Sequence, residues 1–315
     1  MLKIFRSHQG QLKELSVNEV EAGAWLQLIQ PTEEELARVV ALTGTPLELL
    51  RPALDVDERS RTELEEENIL IITNVPIMRG VNSYDTLPLG IIICRGYFIT
   101  VCSEPNPVLE GFGVLQSHTF HTAKKTRLLF QILFRSAELY LKYLTAINRR
   151  TDEIESKLRR SMKNEELFEL LELHKGLTYF HAALRANGSV MERLFRLRRN
   201  NQIEHLIKMY EEDEDLLEDV IIENKQAIEM VEMYSNILNG MMDTFASIIS
   251  NNLNIVMKFL ASMTILIALP TMVSSFMGMN VDVPFGENNG FVIALTASCF
   301  LTVIGAFVLW KKGML

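Results

Sequence analysis

What the chain lacks narrows the field first. It has three cysteines, Cys94, Cys102 and Cys299, and they fall in no disulfide or metal-knuckle spacing. That pattern excludes a disulfide scaffold and a cysteine zinc site, and it predicts a chain facing a reducing compartment. No GxxxxGK[ST] loop and no dinucleotide fingerprint occurs, so no nucleotide is expected as a partner. The six histidines form no ligand pairs. His118 and His121 are three apart but have no third partner, and a metal site there is not the favoured reading. The start, MLKIFRSHQG, has no apolar core, and no signal peptide is expected there. An excess of basic charge is lacking as well, with 31 lysines and arginines against 40 acidic residues. The formal net charge is −9, which with no reader motif predicts no nucleic-acid partner, despite the basic Arg196-Leu197-Arg198-Arg199-Asn200. That cluster reads as a solvated helix end or a membrane-facing surface. Nothing in the chain assembles a catalytic constellation, and no enzyme is predicted.

The most consequential absence is of charge near the C-terminus. From Ile255 to Phe276 the only charged residue is Lys258, and Phe291 to Trp310 carries none. At the helical rise the first run spans roughly 33 Å, enough to cross a bilayer core. Two such runs separated by a short polar stretch read as a membrane hairpin. The intervening loop, Val281 to Gly290, holds Asp282 and Glu287 but no lysine or arginine, while Lys311 and Lys312 follow the second run. The bias of basic residues places both termini in the cytoplasm and predicts a multi-pass protein of the inner or plasma membrane.

The first span has a distinct face. Asn254, Met257, Ala261, Thr264, Ala268, Thr271, Ser275 and Gly278 recur at three- and four-residue steps, and all but Met257 are small or polar. Two readings stand side by side. Small residues let helices pack closely in lipid. A stripe of hydroxyls and small side chains can instead line a pore, which one helix cannot enclose, so that reading requires a symmetric ring of identical chains.

Upstream, residues 1 to about 105 read as mixed α/β. Ala24 to Ile29, Ile69 to Thr73, Leu89 to Cys94 and Tyr97 to Val101 are β-branched apolar runs expected as strands. Thr32 with Glu35 forms a capping box opening a helix to about Ala41, and a second short helix is expected over Pro46 to Leu54. From His121 the pattern becomes helical: Leu128, Leu129, Ile132, Leu133, Ala137, Leu139, Tyr140, Tyr143, Leu144 and Ile147 recur at helix spacing. A further helix is expected from Asn164 to Arg199, with Leu167, Leu170, Leu171, His174, Leu177 and Phe180 on one side. No breaker interrupts the chain from Ile203 to Gly240, which predicts one helix of about 75 residues entering the membrane, roughly 110 Å long. The acidic run Glu211 to Asp219 reads either as its solvated face or as a divalent-cation sensor between subunits. The expected division is 1–120, 121–200, 201–280, the loop 281–290, and 291–315. The fold class is α+β: a cytoplasmic α/β domain, a helical stalk and two transmembrane helices.

The stripe runs into Gly278-Met279-Asn280. Gly-Met-Asn directly after the first of two C-terminal spans resembles the CorA family of magnesium channels. Gly240-Met241-Met242-Asp243 and the stretch from Ser250 to Lys258 resemble that family's inner pore entrance, while Met277 stands where many members carry an aromatic. The resemblance covers about the last 110 residues well. It implies a passive, potential-driven Mg²⁺ channel, a pentamer, closed by cytoplasmic Mg²⁺. It also implies a filter at Gly278, Met279 and Asn280, and a pore lined by Asn254, Met257, Leu260, Ala261, Thr264, Ala268, Thr271 and Ser275. Met257 and Leu260 form the apolar constriction in that scheme, Asp243 lies below Asn254, and Asp219 is a regulatory carboxylate. Asp85 is the expected partner acid on a neighbouring chain. Related ZntB-like zinc carriers share the hairpin but usually depart from methionine in the tripeptide, so Met279 favours Mg²⁺; transport of another divalent metal, Zn²⁺, Co²⁺ or Ni²⁺, stays open as an alternative. A membrane-anchored sensor that transports nothing is the remaining alternative.

Overall fold

The computed structural model describes residues 1–8, 11–65, 67–114, 121–161, 164–197, 206–279 and 290–314. The chain divides into two compact units, Met1–Gly240 and Met241–Leu315.

The first unit is built on one seven-stranded sheet, ordered β2-β1-β3-β7-β6-β5-β4. The strands are β1 (Leu2–His8), β2 (Gln11–Glu14), β3 (Trp25–Ile29), β4 (Arg61–Glu65), β5 (Asn68–Gly80), β6 (Ser83–Cys94) and β7 (Tyr97–Cys102). All neighbours are antiparallel except β3 and β7. Alternation along the strands supplies both faces. Leu26 and Leu28 of β3, with Leu70, Ile72, Ile92 and Ile99, meet α1 (Glu33–Thr43) and α2 (Leu47–Leu50). Trp25, Ile69, Ile71, Ile91, Ile93 and Phe98 point the other way and pack on helices. Those helices are α3 (Pro107–Val114), α4 (Lys125–Ser161), α5 (Asn164–Leu197) and the first turns of α6 (Glu211–Met277), which contributes Leu217 and Val220. The helical layer thus belongs to the same compact unit as the sheet.

The expected strands and the Thr32–Glu35 capping box are present. Other expectations need correction. The segment Pro46 to Leu54 is not one helix: α2 ends at Leu50 and a 3₁₀ turn spans Pro52–Leu54, because Pro52 cannot continue the bonding of α2. Leu171 does not face the core; it is 51% exposed, and the buried line of α5 runs through Leu170, Leu173, Leu177, Phe180, Leu184 and Leu194. The long helix starts at Glu211, not Ile203. Leu206 and Ile207 precede it as non-helical, buried core residues. Asp213 then fastens the start: its Oδ2 accepts the Tyr210 N–H at 3.2 Å, and Oδ1 lies 3.6 Å from Arg127. One residue of the acidic run is therefore a buried helix-start anchor, not part of a solvated face.

The second unit holds the rest of α6, which has 67 residues in all, and α7 (Gly290–Lys311). Both contain stretches long and apolar enough to cross a membrane, and these stretches are almost wholly exposed. Their contact is narrow. Leu266 and Leu269 of α6 meet α7 at Gly305, where an added Cβ would lie 2.7 Å from Leu269 Cδ1. The Ser262 hydroxyl reaches the Met314 carbonyl at 2.9 Å.

Candidate functional site

Alpha-helical geometry separates the faces of α6 in the second unit. Within its apolar stretch from Ile255 on, Ser262, Leu266, Leu269, Pro270, Val273 and Met277 are the buried or half-buried residues, and they lie along one side. Asn254, Met257, Ala261, Thr264, Ala268, Thr271, Ser275 and Gly278 fall about 150° away and are all exposed. Leu260 adjoins this stripe and is 58% exposed, much like Met257 at 56%. Close packing against α7 is therefore not what the small residues serve within one chain. They form an uncovered face.

The chemistry of that face is specific. Thr264 Oγ1 donates to the Leu260 carbonyl at 2.8 Å, and Thr271 Oγ1 donates to the Ile267 carbonyl at 3.0 Å. Each hydroxyl hydrogen is thus turned back along the helix, and the oxygen lone pairs face outward as acceptors. A row of neutral acceptors suits a cation that keeps its waters, because the waters present hydrogens. Carboxylates at the same positions would hold such an ion too firmly to pass it on.

The remaining predicted residues fall as follows. Asp243 and Asp219 are both exposed on α6. Gly278 and Met279 close the helix, the Gly278 N–H donating to the Ser274 carbonyl at 3.0 Å. Asn280 lies outside the described residues, as do His118 and the loop acids Asp282 and Glu287. His121 is exposed just before α4. Asp85, on β6, is half-buried and already engaged: Oδ2 accepts from Arg79 Nε at 3.3 Å and Oδ1 from the Thr86 N–H at 2.8 Å. Arg79 is shared with Glu104, whose hydrogen bond holds the guanidinium above its usual pKa. Asp85 also borders a cavity of about 350 Å³ with Asp57, Glu172 and Lys175, acids and a base that sequence spacing had not brought together. Among the described residues, no group of three or more His, Cys, Asp or Glu side chains is placed to hold a metal within one chain. Cys102 is chemically quiet, since burial pushes its thiol up to about 12.

Comparison with known proteins gives these observations a frame. A family model described as "CorA-like Mg2+ transporter protein" matches residues 21–312. A curated relative from Methanocaldococcus jannaschii, named "Cobalt/magnesium transport protein CorA", is 28% identical over 300 residues, covering 92% of this chain and 90% of the relative. The complete structure of the CorA magnesium transporter from the same organism matches with a TM-score of 0.85 at 25% identity, over 100% of this chain and 99% of that one. The cytoplasmic domain of ZntB from Vibrio parahaemolyticus shares the fold at 15% identity, with a TM-score of 0.59 over 80% of this chain and 97% of that one. The two apolar C-terminal helices, the α/β unit before them and the family match across nearly the whole length agree, and the chain belongs to the CorA-like Mg²⁺ transporter family.

Proposed function

We propose that the chain is a passive Mg²⁺ channel, formed by a ring of identical copies with the acceptor face of α6 turned toward a shared axis. The observation that carries this reading is the exposed stripe from Asn254 to Gly278, left uncovered by α7 on the opposite side. The family resemblance supplies the subunit number, five. In such a ring, Asn280 gives one amide per chain at the outer mouth and Asn254 one near the cytoplasmic end. Their amide oxygens accept from the waters of a hydrated Mg²⁺, so selection needs no full dehydration. Met257 and Leu260 form the apolar constriction, which closes by dewetting.

No fuel is needed. A divalent ion entering down 100 mV gains about 4.6 kcal/mol, a concentration ratio on the order of 10³. Such a gradient calls for a brake. We assign it to cytoplasmic Mg²⁺ held between copies by Asp219 and by Asp85, the N-terminal carboxylate whose two oxygens keep further lone pairs beside the bonds from Arg79 and the Thr86 N–H. The unbroken α6 joins Asp219 to Met257. The loop after α6 is then external and both termini are cytoplasmic.

The test is Mg²⁺ entry into proteoliposomes under an imposed negative-inside potential. Wild-type chain should pass Mg²⁺, and Asn280→Ala should abolish the flux while leaving the oligomer intact. Substantial Mg²⁺ flux through a correctly assembled Asn280→Ala ring would remove the filter assignment. Co²⁺ is the competing cargo to run in parallel, since the similar curated protein is named for both ions.

A further inference from the structure

A second feature lies in the N-terminal unit. Between α3 and the β1–β3 edge of the sheet is a cavity of about 510 Å³, the size of sites that take small organic ligands. Three of its lining residues are aromatic. Phe5 and Trp25 face each other across β1 and β3, with ring centroids 5.4 Å apart, and Phe112 of α3 meets Trp25 edge-on at 6.0 Å. Trp25 Nε1 donates to Thr100 Oγ1 at 2.9 Å, which fixes the indole without using the cavity.

Two residues further along β3, and so on the same face, stands Gln27. It is only 6% exposed and lines the cavity, yet its carboxamide has no hydrogen-bond partner among the described residues. Its carboxamide lines the cavity, so its two donors and its acceptor are left to water or to a ligand held there. Polar groups of this kind in native proteins are normally satisfied by protein, water or ligand. Lys3 is directly opposite Gln27 in the β1–β3 register, forms no ion pair among the described residues, and also lines the cavity. Glu110 stands exposed at the rim.

We propose that this cavity binds a small planar heterocycle with a lactam-type edge, a donor beside an acceptor, as in an oxopurine or a cyclic amide. Phe5, half-buried and backed by Trp25 and Phe112, offers the ring an aromatic surface. The carboxamide of Gln27 pairs with its edge at two points, donor to acceptor and acceptor to donor. Lys3, in register beside Gln27, favours a ring that presents a further acceptor on that side. An aromatic ring without the edge leaves Gln27 unpaired and is disfavoured on that ground. The proposal is independent of transport.

The test uses the full chain in detergent with Trp310→Phe, which leaves Trp25 as the sole tryptophan. Hypoxanthine is titrated against Trp25 emission, with toluene as the ring that lacks the edge. The expected result is a saturable change with hypoxanthine, a melting temperature that rises with its concentration, and at least tenfold weaker binding of toluene. Gln27→Met, close in volume, should keep the fold and weaken hypoxanthine at least tenfold. No saturable change up to the solubility limit of hypoxanthine overturns the proposal, as does equal affinity in a folded Gln27→Met chain. Toluene binding as tightly as hypoxanthine overturns it from the wild-type chain alone, whatever the variant does.

Discussion

Asn187 does for Asn74 what a neighbouring strand would do. The last pairing of β4 with β5 is Arg61 with Ile72, so Asn74 has no strand on that side. Asn187 of α5 takes over: its Oδ1 accepts the Asn74 N–H at 2.9 Å and its Nδ2 donates to the Asn74 carbonyl at 2.8 Å. Ser60 donates to the same Oδ1 at 2.8 Å, and Tyr140 adds a 2.9 Å bond to the Asn74 carbonyl. The opposite neighbour of Asn74 is Pro88, tolerated because no ladder bond is asked of it there. Asn187→Leu should orphan the Asn74 amide and cost about 2–3 kcal/mol. The check is a lower urea midpoint at unchanged slope, and an unchanged midpoint would show that water replaces the clamp. None of this was legible in the sequence, because the partners are 113 residues apart and an asparagine in a helix announces nothing. The same holds for Asp213, hidden inside an acidic run until the fold brought Arg127 to it.

Among the elements, those with strong periodicity were legible and those without were not. The apolar strands β3, β6 and β7 and the helices α4 and α5 carry their own burial pattern. Strand β4, Arg61-Thr62-Glu63-Leu64-Glu65, sits at the sheet edge and buries only Thr62, so its sequence resembles a loop. The polar edge strand β2 was missed for the same reason, and β1 with it. The extent of α6 was legible except at its start, where buried Leu206 and Ile207 mimic helical continuation. The face of α6 that meets α7 was not legible, because every side of this span other than the small-residue stripe is apolar. Gly305 marks it. Gly305→Val should push α7 off Leu269 and reduce the fraction of chain recovered as a stable assembly by several-fold, read by size exclusion in detergent. Gly240→Ala, with nothing within 4 Å of its added Cβ, is the control expected to assemble normally.

At the scale of the whole molecule, family membership and the acceptor face of α6 together carry the transport reading, while gating rests on the length of one helix. If Mg²⁺ bridges each of five interfaces, a concentration tenfold above Kd adds about 1.4 kcal/mol per site, about 7 kcal/mol in all. That is enough to move a two-state equilibrium almost completely. Asp219→Ala removes the bridge and should shift inhibition by cytoplasmic Mg²⁺ to about tenfold higher concentration, with ion selectivity unchanged. Current recorded against cytoplasmic Mg²⁺ in planar bilayers decides it, and an unshifted curve would leave Asp219 as a solvated surface acid. The acceptor pattern of Thr264 and Thr271 could be read from spacing only as a shared face; the return bonds to Leu260 and Ile267 needed coordinates. The most direct measurement of the central claim compares two adjacent residues at one depth. In a Cys299→Ser background, with buried Cys94 and Cys102 retained, Thr264→Cys and Met263→Cys differ by about 100° around α6. A membrane-impermeant cationic thiol reagent should block Mg²⁺ current through Thr264→Cys and leave Met263→Cys unaffected. Block at Met263→Cys with none at Thr264→Cys would contradict the assignment of the small-residue face to the ion pathway.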